Sequence, residues 1–197
     1  MRRTLLLAVL LAFASGASAH VGHGSGGSGF PGGFLHPITG IDHLAAMVAV
    51  GLWGAQLRAP ALWLLPVTFP MIMALGAFLG LLGMPLPAVE AGVALSGVVL
   101  GACVALALRP PLWLALGIVA VFGFLHGHAH GTAIPLEGSP LSFGAGFVAA
   151  TGLLHLAGIL IGLLLRWPRG ALVVRGGGVA VALAGAWAFA AWLMDTI

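Results

Sequence analysis

Residues 111–131 read PLWLALGIVAVFGFLHGHAHG. No Asp, Glu, Lys or Arg interrupts them, and the run is close to the ~20 residues a helix needs to cross the hydrocarbon core of a bilayer. Its first two thirds are apolar. Its last third places His126, His128 and His130 at every second position. Five further segments of similar length and character lie near residues 37–57, 60–82, 86–108, 141–165 and 171–193. They are divided by Arg58-Ala59-Pro60, Gly83-Met84-Pro85, Arg109-Pro110-Pro111, the stretch 134–140 and Arg166-Trp167-Pro168-Arg169-Gly170. Proline ends or starts helices for steric reasons, so each division has a physical cause. The expected fold is all-α: a polytopic membrane protein with six transmembrane helices.

Composition leads to the same class. Of 197 residues, 61% are hydrophobic and 6% charged, with a mean hydropathy of +1.17. A soluble domain of this size does not manage with so few charges. The pI of 11.2 comes from seven arginines against four acids. Those arginines are scattered, so the basic balance does not indicate nucleic acid; the lipid bilayer is the expected partner. The single cysteine, Cys103, lies in an apolar run and reads as a small core residue.

The first nineteen residues read as a signal peptide. Arg2 and Arg3 precede an apolar run over 4–14, and Ala17-Ser18-Ala19 offers a small-residue cleavage site. Residues 20–35 are rich in Gly and Ser and read as a flexible periplasmic lead-in carrying His20 and His23. Residues 36–197 then form the transmembrane domain. A cleaved signal leaves the mature N-terminus in the periplasm. Arg58, Arg109, Arg166, Arg169 and Arg175 then all fall in cytoplasmic loops, as the positive-inside rule requires of a bacterial inner-membrane protein. Trp53, Trp63, Trp113, Trp167 and Trp192 lie near segment ends, where interfacial anchors are found. Gly76/Gly80, Gly97/Gly101 and Gly158/Gly162 are spaced for close helix packing.

The few ionisable residues are not scattered. Asp42, His43, Glu90, His126, His128, His130 and His155 all fall in the outer half of the membrane in this arrangement. An Asp at a helix centre costs roughly 2.5–3.5 kcal/mol on insertion scales, so such residues carry function by default. Imidazole with carboxylate suits a borderline divalent metal ion. His36 and His43 are seven apart, two turns on one face of a regular helix, and Met47 follows His43 by four. Asp42 adjoins His43 and can ligate or orient a neighbouring imidazole. His126 and His130 share a face, whereas His128 points elsewhere unless the glycine-rich end unwinds. A plain interhelical hydrogen-bond network is the competing explanation of the set.

His36-Pro37-x-x-Gly40-x-Asp42-His43 and His126-Gly127-x-Ala129-His130-Gly131, with the Ala19-His20 junction, resemble the HupE/UreJ family of nickel permeases over essentially the whole mature chain. The resemblance implies a secondary permease for Ni2+ or Co2+, supplying metalloenzyme or cobalamin assembly by way of intracellular metallochaperones, and not an enzyme. It implies that His36, Asp42, His43, His126 and His130 line the ion route, with the ion as cargo and no permanently bound cofactor. His128, His155, Glu90, Met47, His20 and His23 are further candidates. Thr132-Ala133 stand where family members often carry a Glu, which leaves Glu90 or Glu137 to supply that acid. An intramembrane zinc hydrolase and a non-transporting metal sensor or chaperone are the alternatives.

Overall fold

The computed structural model describes residues 28–134 and 139–196, and these are mostly helical with no strand among them. The expected signal peptide, His20, His23 and Glu137 lie outside the described residues. Seven α-helices follow in order: α1 Gly29–Thr39, α2 Ile41–Leu57, α3 Ala61–Leu81, α4 Val89–Ala105, α5 Leu112–Ala133, α6 Pro140–Gly162 and α7 Gly170–Thr196. A 3-10 turn, Leu163–Arg166, extends α6.

Four elements are long and apolar enough to cross a membrane: α3, α5, α6 with its 3-10 extension, and α7. The pair α1–α2 makes a fifth if counted as one broken span, and α4 is a shorter apolar helix. Each of the four long elements buries less than half of its most apolar window against the rest of the chain. The exposed remainder includes Leu75, Phe78, Val121, Leu160 and Leu183. Such an apolar exterior requires an apolar solvent.

The first apolar segment departs from the expected regular helix. It is two helices meeting at Gly40 with an 81° bend. Gly40 is extended (φ −86°, ψ 113°), and its N–H reaches the His36 carbonyl only at 3.4 Å. α2 restarts with the Leu44 N–H on the Gly40 carbonyl at 2.9 Å. His36 and His43 therefore stand on either side of a bend, not two turns along one helix face.

The supposed lead-in is likewise partly helix, since α1 begins at Gly29. Gly33 of α1 serves packing. A Cβ on Gly33 would lie 1.9 Å from the Phe143 carbonyl oxygen, and one on Gly146 would lie 2.1 Å from that of Phe30. Backbone of α1 thus rests directly on backbone of α6. The same device joins the other pairs. Gly76 and Gly80 receive α5, Gly97 and Gly101 receive α7, and Gly158 meets α2 near Val48. The three GxxxG pairs are all contact surfaces, as their spacing led one to expect.

Trp53 is the other correction. It is fully buried, and its indole N–H donates to the Leu108 carbonyl at 3.0 Å. It fills the core between α2 and the end of α4, whereas Trp63, Trp113 and Trp167 are well exposed.

Candidate functional site

α5 explains how its histidine run is used. Gly123, Gly127 and Gly131 recur every four residues and form a groove on which the α3 backbone sits, near Phe69, Met73 and Ala77. His126 and His130 recur with the same period on an adjoining face. The helix does not unwind here; it runs to Ala133.

That face meets the bend. The His43 ring centroid lies 5.0 Å from His126 and 4.6 Å from His130. His36 lies 4.8 Å from His130 and 6.3 Å from His43. Four imidazoles from α1, α2 and α5 thus form a chain, with His130 against both His36 and His43 and His43 against His126, although 94 residues separate His36 from His130 in sequence. Phe147 of α6 covers the group, with its ring 4.4 Å from His130 and 6.0 Å from His36.

Asp42 is tied to this group through its neighbour. Its Oδ1 accepts the His43 backbone N–H at 2.9 Å and the His43 Nδ1–H at 2.7 Å. In the neutral ring, a proton held on Nδ1 leaves Nε2 of His43 as the lone-pair nitrogen. Asp42 is about one third exposed and His43 half as much; His130 and His126 are buried. The set therefore runs from a solvated carboxylate into a dry interior.

His126 repeats the arrangement with backbone. Its Nδ1–H donates to the Phe122 carbonyl one turn back, at 2.9 Å. Deeper still, the His155 Nδ1–H donates to the Pro66 carbonyl at 3.1 Å. In both cases Nε2 is left bearing the lone pair. The Nε2 atoms of His43, His126, His130 and His155 are all buried without a hydrogen-bond partner. Buried polar atoms are seldom left so, and each of the four is an unused donor atom of the kind a borderline cation accepts. Among the described residues, no three His, Cys, Asp or Glu side chains are placed to hold one metal ion together.

The remaining candidates stand apart. His128 is buried on another face, where Nε2–H donates to the Met84 carbonyl at 2.8 Å and fastens α5 to the turn after α3. Glu90 is exposed in the first turn of α4. Met47 is fully buried in the apolar core.

Sequence reading passed over Phe69. It is fully buried, with its ring 5.4 Å from both His126 and His155. Its ring stands between His126 and His155. Thr151, one turn before His155 on α6, was also missed; its hydroxyl is buried and unpartnered. Neither has a signal in the sequence, since an apolar Phe and a helical Thr are ordinary in a span.

The family model described as HupE / UreJ protein matches residues 7–188. Protein HupE of Rhizobium leguminosarum bv. viciae is 39% identical over 186 residues, covering 94% of this chain and 97% of that protein. No solved structure matches. With a family model spanning most of its length and a relative aligned nearly end to end, the chain belongs to the HupE/UreJ family.

Proposed function

We propose that this protein is a secondary permease that carries Ni2+, and Co2+ as a second substrate, across the bacterial inner membrane, and that Asp42, His36, His43, His130 and His126 line the route. The family's association with nickel and cobalt uptake supports the class of cargo. The observation that carries the route is the contact of four imidazoles from three helices, with three of their Nε2 atoms buried and unpartnered. Mixed nitrogen and oxygen donors suit Ni2+ and Co2+. They bind more loosely than a thiolate cage, and transport needs release as much as capture.

In this reading the hydrated ion meets Asp42 and His36 first, because both are only part-buried while His126 and His130 are buried. Water is then exchanged for imidazole nitrogens in steps, through His43 and His36 to His130 and His126. His155, beyond Phe69, receives it next. The bend at Gly40 resembles the broken helices that place ion sites inside transporters. Counting α1–α2 as one crossing and α4, at 17 residues, as another gives six crossings. The mature N-terminus then faces the periplasm and the arginine-bearing loops face the cytoplasm.

The test is metal flux into proteoliposomes holding the purified full chain. Nickel accumulation that saturates, that cobalt competes with, and that Asp42→Ala and His43→Ala abolish is the expected result. Hydrolysis of an amide or ester by a tightly zinc-loaded protein, without flux, would replace the permease with an enzyme.

A further inference from the structure

At the far end of the bundle from His36, His43, His126 and His130 lies a cavity of about 530 Å3. Gln56 lines it, thirteen residues beyond His43 on α2, which is about 20 Å along a helix axis. The volume falls within the ~300–1,000 Å3 usual for small-ligand pockets. Four of its lining residues are arginines, and each comes from a different segment. Arg58 follows α2, Arg109 follows α4, Arg166 ends the turn after α6, and Arg175 stands on α7. None of its lining residues is acidic, and among the described residues no carboxylate pairs with any of the four.

Loop arginines on one side of a membrane need no ligand to explain them. Their convergence from four segments around one cavity does require explanation, because like charges repel and nothing in the wall offsets them. Helix dipoles do not help, since α2, α4 and α6 end here while α3, α5 and α7 begin. One guanidinium is also held in place: Arg175 Nε–H donates to the Ala105 carbonyl at 2.7 Å, which leaves its terminal nitrogens free.

We infer that this cavity binds a phosphate group, presented either by an anionic phospholipid headgroup or by a free phosphate. The guanidinium fork matches phosphate oxygens in pairs, and several forks around one anion remove their mutual repulsion. The position at the end of a membrane bundle brings lipid headgroups within reach. The inference does not depend on metal transport.

The experiment measures thermal unfolding of the purified full chain in neutral detergent. Phosphatidylglycerol, phosphatidylcholine and inorganic phosphate are added separately. Arg109→Gln/Arg166→Gln removes two pocket cations whose side chains make no hydrogen bond among the described residues. Arg169→Gln removes another exposed arginine, three residues after Arg166, that does not line the cavity. Phosphatidylglycerol is expected to raise the midpoint where phosphatidylcholine does not, with the rise at least halved in the double variant and intact in Arg169→Gln. A rise with inorganic phosphate that shows the same variant pattern also supports the site and identifies free phosphate as its source. No rise with either anion, a full rise in the double variant, or an equal loss in Arg169→Gln overturns the inference.

Discussion

The Nδ1 atom of His155 lies 3.1 Å from the carbonyl oxygen of Pro66, an acceptor that is free because the residue four further on, Pro70, has no N–H to give it. A proline pair in α3 thus creates a hydrogen-bonding vacancy, and a histidine of α6 fills it. The bond selects the His155 tautomer whose Nε2 carries the lone pair, and that atom is buried and unpartnered. A gap in one helix therefore prepares a donor atom on another.

Pro70→Ala restores an N–H that competes for the Pro66 carbonyl. His155 then loses its fixed tautomer. Partners of this kind cost about 10- to 100-fold in metal affinity when removed. Nickel uptake by cells expressing the variant is expected to fall about 10-fold at equal membrane insertion, and His155→Ala to fall at least as far. Uptake at the wild-type rate in both variants would remove His155 from the route.

Asp42 acts on His43 through two hydrogen bonds to one oxygen. Asp42→Asn keeps an oxygen that can accept them but loses the charge; Asp42→Ala loses both. Initial uptake rates are expected to rank wild type, Asp42→Asn, Asp42→Ala, with the last down about 100-fold on the same scale of effects. Equal rates for Asn and Ala would show that charge alone matters.

Close packing of α5 on α3 sets the depth of His126 and His130. A Cβ on Gly127 would lie 1.9 Å from the Met73 carbonyl oxygen, and backbone cannot yield as a side chain can. Gly127→Val is expected to lose about 1–3 kcal/mol or more, the usual cost of overpacking, and to abolish uptake. Gly117→Ala, at a position with open space around it, is the matched control and is expected to leave both unchanged. Thermal unfolding in detergent and uptake in cells check the pair.

Much of this molecule could be read in its sequence because both periods involved are short. Apolar runs near bilayer length gave the helices, and the four-residue spacing of His126 and His130 put both on one face. What escaped depended on partners distant in the chain. The glycines of residues 29–35 look like a flexible tether, since nothing local tells a solvated glycine from one pressed on Phe143 a hundred residues later. Pro37 read as the start of a helix, whereas the structure carries it inside α1 and breaks at Gly40. Trp53 near a segment end read as an anchor until the Leu108 carbonyl claimed its N–H. The Pro66/Pro70 pair was visible, and the free carbonyl it leaves could have pointed to a buried donor elsewhere.

In the proposed route, imidazole nitrogens from α1, α2 and α5 take the metal from water. X-ray absorption at the nickel edge of the purified, nickel-loaded protein reads those ligands directly. Imidazole scattering in the wild type that weakens in His130→Ala and weakens further in His43→Ala/His130→Ala is the expected result. A shell of oxygen ligands alone, the same in wild type and both variants, would contradict it.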